Sequence, residues 1–296
     1  MACRATPPRS DRASAHDRAI LVLLFVVALA PRLYHVRSPY MNFADHNTAN
    51  FSIFARNYLD HGWLATRLGQ LRNIGSADPG SYVVFAHHPP TIALLTSVAF
   101  MVLGVSEPAA RTLPLVFSAA TTGILFLLAR RVVGRTWGLL AALLFAFSPG
   151  AIYFGQMLDH EAFVVFCGLA CLWAWCRHAE TESRGWWRAC LALMAATILL
   201  DWPGAYLAPA IAAASWLCPA TRPRWIRLAA HSGATASAAL AIVVGHVLVI
   251  KGTLADLAAS LSVRVLSTPD LAFTWGEYLD RIDLRHGTHK IHAPNQ

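Results

Sequence analysis

The chain has 296 residues, 56% of them hydrophobic and only 14% charged, with a mean hydropathy of +0.47. Soluble globular domains carry about 25% charged residues, so the composition excludes an ordinary water-soluble domain and points to a multi-pass membrane protein. The formal net charge of +8 does not argue for nucleic acid, because most of the arginines lie in the N-terminal tail and in three short loops between apolar stretches.

At the N-terminus, Arg4, Arg9, Arg12 and Arg18 precede an apolar run at 19–30. This pattern fits a signal peptide ending at Ala28-Leu29-Ala30 or a signal-anchor helix. Apolar residues resume after Pro31-Arg32, which favours a span over 19–36. Both readings leave the following chain on the outer side.

A crossing needs about 20 apolar residues for a ~30 Å hydrocarbon core. Further spans are expected at 108–129, 136–154, 161–176 and 228–250. Between them lie Arg130, Arg131 and Arg135, then Arg177, Arg184 and Arg188, then Arg222, Arg224 and Arg227. The polar breaks on the alternate side, 155–161 and 201–206, hold no Lys or Arg. Basic residues in short loops stay cytoplasmic, so the three arginine clusters mark the inner side.

Parity settles two awkward stretches. If 91–104 crossed the membrane, all three arginine clusters would lie outside, so it is expected to be an interfacial or re-entrant helix behind the His87-His88-Pro89-Pro90 turn. Residues 186–218 are too long for one span and lie between two basic loops. Asp201-Trp202-Pro203-Gly204 is therefore expected to turn the chain back. Residues 47–61 place Phe51, Phe54, Ala55 and Tyr58 at helical spacing, as in an amphipathic helix lying on the membrane.

The expected architecture is an all-α polytopic membrane bundle of about seven crossings with interfacial helices in its first outside loop. A transmembrane module covers 1–250, with that loop at 37–107, and 251–296 forms an outside tail that begins a further loop. The N-terminus is expected in the cytoplasm and the bundle in the cell (inner) membrane. The six cysteines, Cys3, Cys167, Cys171, Cys176, Cys190 and Cys218, avoid the outside loops, so no disulfide framework is implied.

Ionisable residues gather on the outer side. The first loop supplies Asp45-His46, Arg56, Asp60-His61 and His87-His88, the second outside turn Asp159-His160-Glu161, and the third Asp201. Such groups near membrane depth are costly and by default functional. Asp45, His46, His88, Asp159, His160 and Glu161 are suitable metal ligands, so a divalent metal is a candidate cofactor, but no spacing matches a specific metal motif. His286, His289 and His292 follow each other at i, i+3 in a polar terminus, where chance spacing is the plainer explanation.

The run Phe43-Ala44-Asp45-His46, then Phe54-Ala55-Arg56-Asn57-Tyr58-Leu59, His87-His88-Pro89-Pro90 and Gly104-Val105-Ser106-Glu107-Pro108-Ala109-Ala110-Arg111 resembles the first periplasmic loop of GT-C glycosyltransferases. It is most similar to the branch that uses polyprenyl-phosphate sugars, which includes protein O-mannosyltransferases and the aminoarabinose transferase acting on lipid A. Tyr153-Phe154-Gly155-Gln156-Met157-Leu158-Asp159 resembles that branch's second acidic loop, and Asp201-Trp202-Pro203 a further recurrent turn.

The resemblance implies transfer of a sugar from an isoprenoid-phosphate donor to a hydroxyl or amine at the outer face of the membrane. It implies an inverting displacement with Asp45 as general base and Asp159 as a second acid. His87, His88 and Arg56 would meet the donor phosphate, while His46, His160, Glu161 and Asp201 complete the substrate-binding set. Related sequences often have a second acid where this chain has His46. They also generally continue with more helices beyond the segment like Trp275-Gly276-Glu277-Tyr278-Leu279-Asp280-Arg281, so a fragment, a truncated gene or a minimal relative that pairs with another chain is expected. Two other readings compete: a non-catalytic remnant assisting a partner, and a transporter or lipid-binding permease. A transporter would place broken helices near the midplane of two related halves, and no repeat is visible.

Overall fold

The computed structural model describes residues 15–34, 36–40, 45–73 and 81–255 together with Ala258, with backbone alone at Ala15 and Asp45. One compact unit runs to Thr253, and a second begins at Leu254. Most of the expected outside tail, including its three histidines, lies outside the described residues.

The helices of the first unit follow the apolar stretches of the chain. They are α1 (Ala15–Arg32), α2 (Asp45–His61), α3 (Thr91–Leu103), α4 (Glu107–Val133), α5 (Arg135–Phe147), α6 (Pro149–Phe154), α7 (His160–Thr181), α8 (Arg184–Leu200), α9 (Leu207–Leu217) and α10 (Trp225–Lys251). A two-residue antiparallel pair, β1 (Gln70–Leu71) and β2 (Val84–Phe85), lies between α2 and α3. Among the described residues, α4, α7 and the segment Arg222–Lys251 have the length and apolarity to cross a membrane on their own. Large apolar side chains such as Val22, Leu23, Trp137, Leu144, Ile242 and Val249 stand exposed on α1, α5 and α10, as lipid-facing residues would.

Local chemistry explains the boundaries. Ser106 caps α4 by accepting from the Ala109 N–H, and Gly134 ends the helix at φ 89°, a conformation that favours glycine. Ser148 and Pro149 break the expected span at 136–154 into α5 and α6. The break frees the Ala146 carbonyl, which accepts 3.0 Å from the Arg32 guanidinium. Arg32 is fully buried and also donates to Ala28 O and Ser118 Oγ, so it knits α1, α4 and α5 together.

The arginine loops meet at one end of the bundle. Arg130 pairs with Asp17, Arg131 and Arg177 pair with Glu180, and Arg224 pairs with Glu182. The other end of α7 and α8 carries Asp159-His160 and Leu200-Asp201.

The apolar stripe of α2 faces protein. Phe51, Phe54, Ala55 and Tyr58 are buried in a cluster with Ile92 and Phe100 of α3, Ala109 of α4 and Phe163 of α7. A helix stripe meets whatever apolar surface the fold offers, and here that surface is the bundle rather than lipid. α3 buries Ile92, Ala93 and Phe100 against the same cluster and leaves Val98, Met101 and Val102 exposed.

Candidate functional site

Three chain segments build a polar corner at the end of the bundle opposite the arginines. The first is the turn between β2 and α3. Gln70 donates to the His88 carbonyl at 2.9 Å, and Pro89-Pro90 leads into α3. Thr91 then donates 2.5 Å to the Leu199 carbonyl, one of the acceptors left open at the C-terminal end of α8. That bond draws the His88 turn to the end of α8.

The second segment is the α8 terminus. Asp201 follows Leu200 in extended conformation, and the chain winds into a short 3₁₀ turn at Trp202–Tyr206. Gly204 packs so closely on α8 that a Cβ there would lie 2.7 Å from the Thr197 carbonyl carbon. The side chain of Asp201 accepts from or pairs with His88, Nδ1 to Oδ1, at 3.0 Å, and both side chains are 15% exposed.

The third segment is the start of α7. Asp159 is its N-cap, and Oδ1 accepts from the His160 backbone N–H at 2.8 Å and from His160 Nδ1 at 2.6 Å. Oδ2 accepts 2.5 Å from Asn47 of α2. The Leu158 N–H donates to Thr48 Oγ1, a second tie between α2 and this turn. Burial pushes the Asp159 carboxyl up, but the hydrogen bonds and charge of His160, with the Asn47 amide, outweigh it and hold the group below the usual carboxylate range.

His88 and His160 close the corner. Their ring centroids lie 4.1 Å apart, and the edge of Phe51 meets the His160 ring. Donor atoms of His88, His160 and Asp201 all lie within 4.8 Å of one another, close enough to hold a metal ion. A cavity of about 60 Å³ opens beside them, walled by Asn47, Asn50, His88, Asp159 and His160 and by the rings of Phe51, Phe54 and Phe85.

Of the residues expected from sequence, His88, Asp159, His160 and Asp201 therefore share one site. Asp45 opens α2, the helix that carries Asn47, but its side chain is outside the described residues. His46 is exposed with Nε2 3.0 Å from Asn50, and Glu161 is exposed in the first turn of α7. His87 packs on Phe85, with ring centroids 5.0 Å apart. Arg56 is not brought to the corner. It is 61% exposed and pairs with Asp60 at 3.3 Å, because nine residues after Asn47 is about half a turn out of phase on α2. Asn47 and Asn50 were missed. Their one signal was that they share the α2 face of Phe51 and Phe54.

Comparison with known proteins places this bundle. The profile of the family described as dolichyl-phosphate-mannose-protein mannosyltransferase matches residues 87–249, more than half of the chain. No curated protein matches. ArnT from Cupriavidus metallidurans in the apo state has a similar fold, with a TM-score of 0.54 and 18% identity over 88% of this chain and 45% of that one. The same enzyme bound to undecaprenyl phosphate gives a TM-score of 0.51 and 20% identity over 90% of this chain and 45% of that one. The chain thus spans less than half the length of these structures. On the profile match, and with an ArnT-like helical bundle, this chain belongs to the dolichyl-phosphate-mannose-protein mannosyltransferase family of GT-C membrane glycosyltransferases.

Proposed function

We propose that the chain carries the donor-handling part of a glycosyltransferase that moves a sugar from an isoprenoid phosphate to an acceptor hydroxyl or amine at the outer face of the membrane. The observation that carries this reading is the meeting of His88, Asp159, His160 and Asp201 at the end of the bundle opposite the arginines. The fold around that corner is shared with a protein solved with undecaprenyl phosphate, which supports a long isoprenoid phosphate as the donor's carrier.

Each group has a chemical task in this reading. Transfer inverts the anomeric centre in one displacement: the acceptor oxygen or nitrogen bonds to the anomeric carbon, and the bond to the phosphate oxygen breaks with its electron pair. Asp45 takes the acceptor's proton. Asp159 orients rather than abstracts, because both its oxygens are engaged by His160 and Asn47. His88, oriented by Asp201, meets the leaving phosphate with His87 beside it. His46 and Glu161 stand exposed around the same helix starts, where they contact sugar or acceptor. Arg56, pointing away, has no part in holding the phosphate. Residues 1–250 form the donor module with its N-terminus in the cytoplasm, and 251–296 lead into a further outside segment.

The test is Asp45→Asn, assayed for donor binding and for sugar transfer in membranes carrying the protein. Donor binding should persist while transfer falls by about 10²–10⁴-fold, the usual contribution of a positioned base. Near-normal transfer would remove Asp45 from that role.

A further inference from the structure

We propose that His88, His160 and Asp201 form a binding site for one divalent transition-metal ion of the zinc class, with Asp159 orienting His160 from behind. The donor set is two imidazoles and a carboxylate. Three such ligands with a fourth position left open are typical of reactive zinc sites, and imidazole-rich sets disfavour magnesium and calcium.

The state of His160 is the strongest reason. Its Nδ1 lies 2.6 Å from the Asp159 carboxylate, which accepts a hydrogen bond and so fixes the proton on that nitrogen. When the ring is neutral, its lone pair is on Nε2. His160 is only 8% exposed, and Nε2 is buried with no hydrogen-bond partner among the described residues. An unpaired buried ring nitrogen is unfavourable, and a lone pair there wants an electrophile. A carboxylate behind a histidine, with the far nitrogen free, is the usual support for a histidine metal ligand.

The distances agree. Ligands about 2.0–2.1 Å from a tetrahedral ion stand roughly 3.3–3.4 Å from one another. His88 Nδ1 and Asp201 Oδ1 are already 3.0 Å apart, with the ion to take the place of the proton shared between them, and one donor atom from each of the three residues fits within 4.8 Å. Closing the set requires side-chain shifts of about 1.5 Å at most, from residues fixed at the ends of three packed elements. The adjoining cavity of about 60 Å³ gives the fourth position room for a water or a phosphate oxygen.

This goes beyond the transfer reading and does not depend on it. If His88 is a neutral ligand, the ion rather than the imidazole supplies positive charge to any anion in the cavity. Metal binding measured without donor keeps the two ideas separately testable.

The experiment titrates Co²⁺ into the purified, chelator-stripped full chain in detergent and follows the visible absorption, with Zn²⁺ as competitor. One Co²⁺ per chain should bind with the bands of a four-coordinate site and be displaced by Zn²⁺. His88→Ala and His160→Ala should abolish those bands while elution and helical circular dichroism are kept. Asp159→Asn should weaken binding by about 10–100-fold. If either alanine variant fails to fold, the near-isosteric Asp201→Asn takes its place, with at least a tenfold loss expected. Replacing His286, His289 and His292 together should leave the site intact. Absence of Co²⁺ uptake, uptake that survives loss of His88 and His160, or uptake that follows the tail histidines instead would each overturn the proposal.

Discussion

Nδ1 of His88 lies 3.0 Å from Oδ1 of Asp201, across 113 positions of sequence. The pair joins the turn before α3 to the end of α8, and only 15% of each side chain is exposed. Asp201→Ala would remove this bond from a largely buried corner. Thermal unfolding in detergent, followed by tryptophan fluorescence, should show a loss of about 1–2 kcal/mol, in the range for a lost buried hydrogen bond. Asp201→Asn keeps an oxygen acceptor and should recover most of that loss.

Arg32 should be far less tolerant. It is fully buried and satisfies carbonyls of two helices and the Ser118 hydroxyl. Arg32→Ala removes the donor that covers Ala146 O at the α5 break and leaves a cavity besides. A loss of about 3–5 kcal/mol is expected, as when a buried charged group's network is broken. Arg32→Lys should rescue only part of it, since one ammonium cannot reproduce the guanidinium's spread of donors. An unchanged melting temperature in either variant would show that this hub does not hold α1 in place.

The side assignment is checked by labelling. In a background without native cysteines, Leu64→Cys, at a position 88% exposed after α2, should react with an impermeant maleimide added outside intact cells. Gly134→Cys, next to the arginines of the first cluster, should react only after permeabilisation. The reverse pattern would invert the topology and put the His88–Asp201 corner on the cytoplasmic side.

Much of this frame was legible in the sequence because each signal was local. Arginine clusters, long apolar runs and the Asp201-Trp202-Pro203-Gly204 break each report on a single loop or helix, and the structure turns the chain at all of them. The pattern also located α2 and α3, but not what their apolar faces meet: Phe51, Phe54 and Tyr58 are buried against neighbouring helices, which periodicity alone cannot distinguish from lipid. For the site, residue type and expected loop position put His88, Asp159, His160 and Asp201 among the candidates, alongside Asp45, His46, Arg56, His87 and Glu161. Their pairing was not visible, since a bond such as Thr91 to Leu199 O exists only once two distant helix ends meet. Asn47 escaped because an amide carries no charge signature. Arg32 stood only as an interruption in the expected span 19–36, and its hub role depends on a helix break more than 110 residues further on.

The most direct test of the account is equilibrium binding of undecaprenyl phosphate to the purified chain. Saturable binding is predicted, weakened at least tenfold by His88→Ala and changed less than twofold by Arg56→Ala, whose side chain stands exposed and paired with Asp60. Absence of saturable binding, or binding that depends on Arg56 and ignores His88, would contradict a donor-phosphate site at the His88–Asp201 corner.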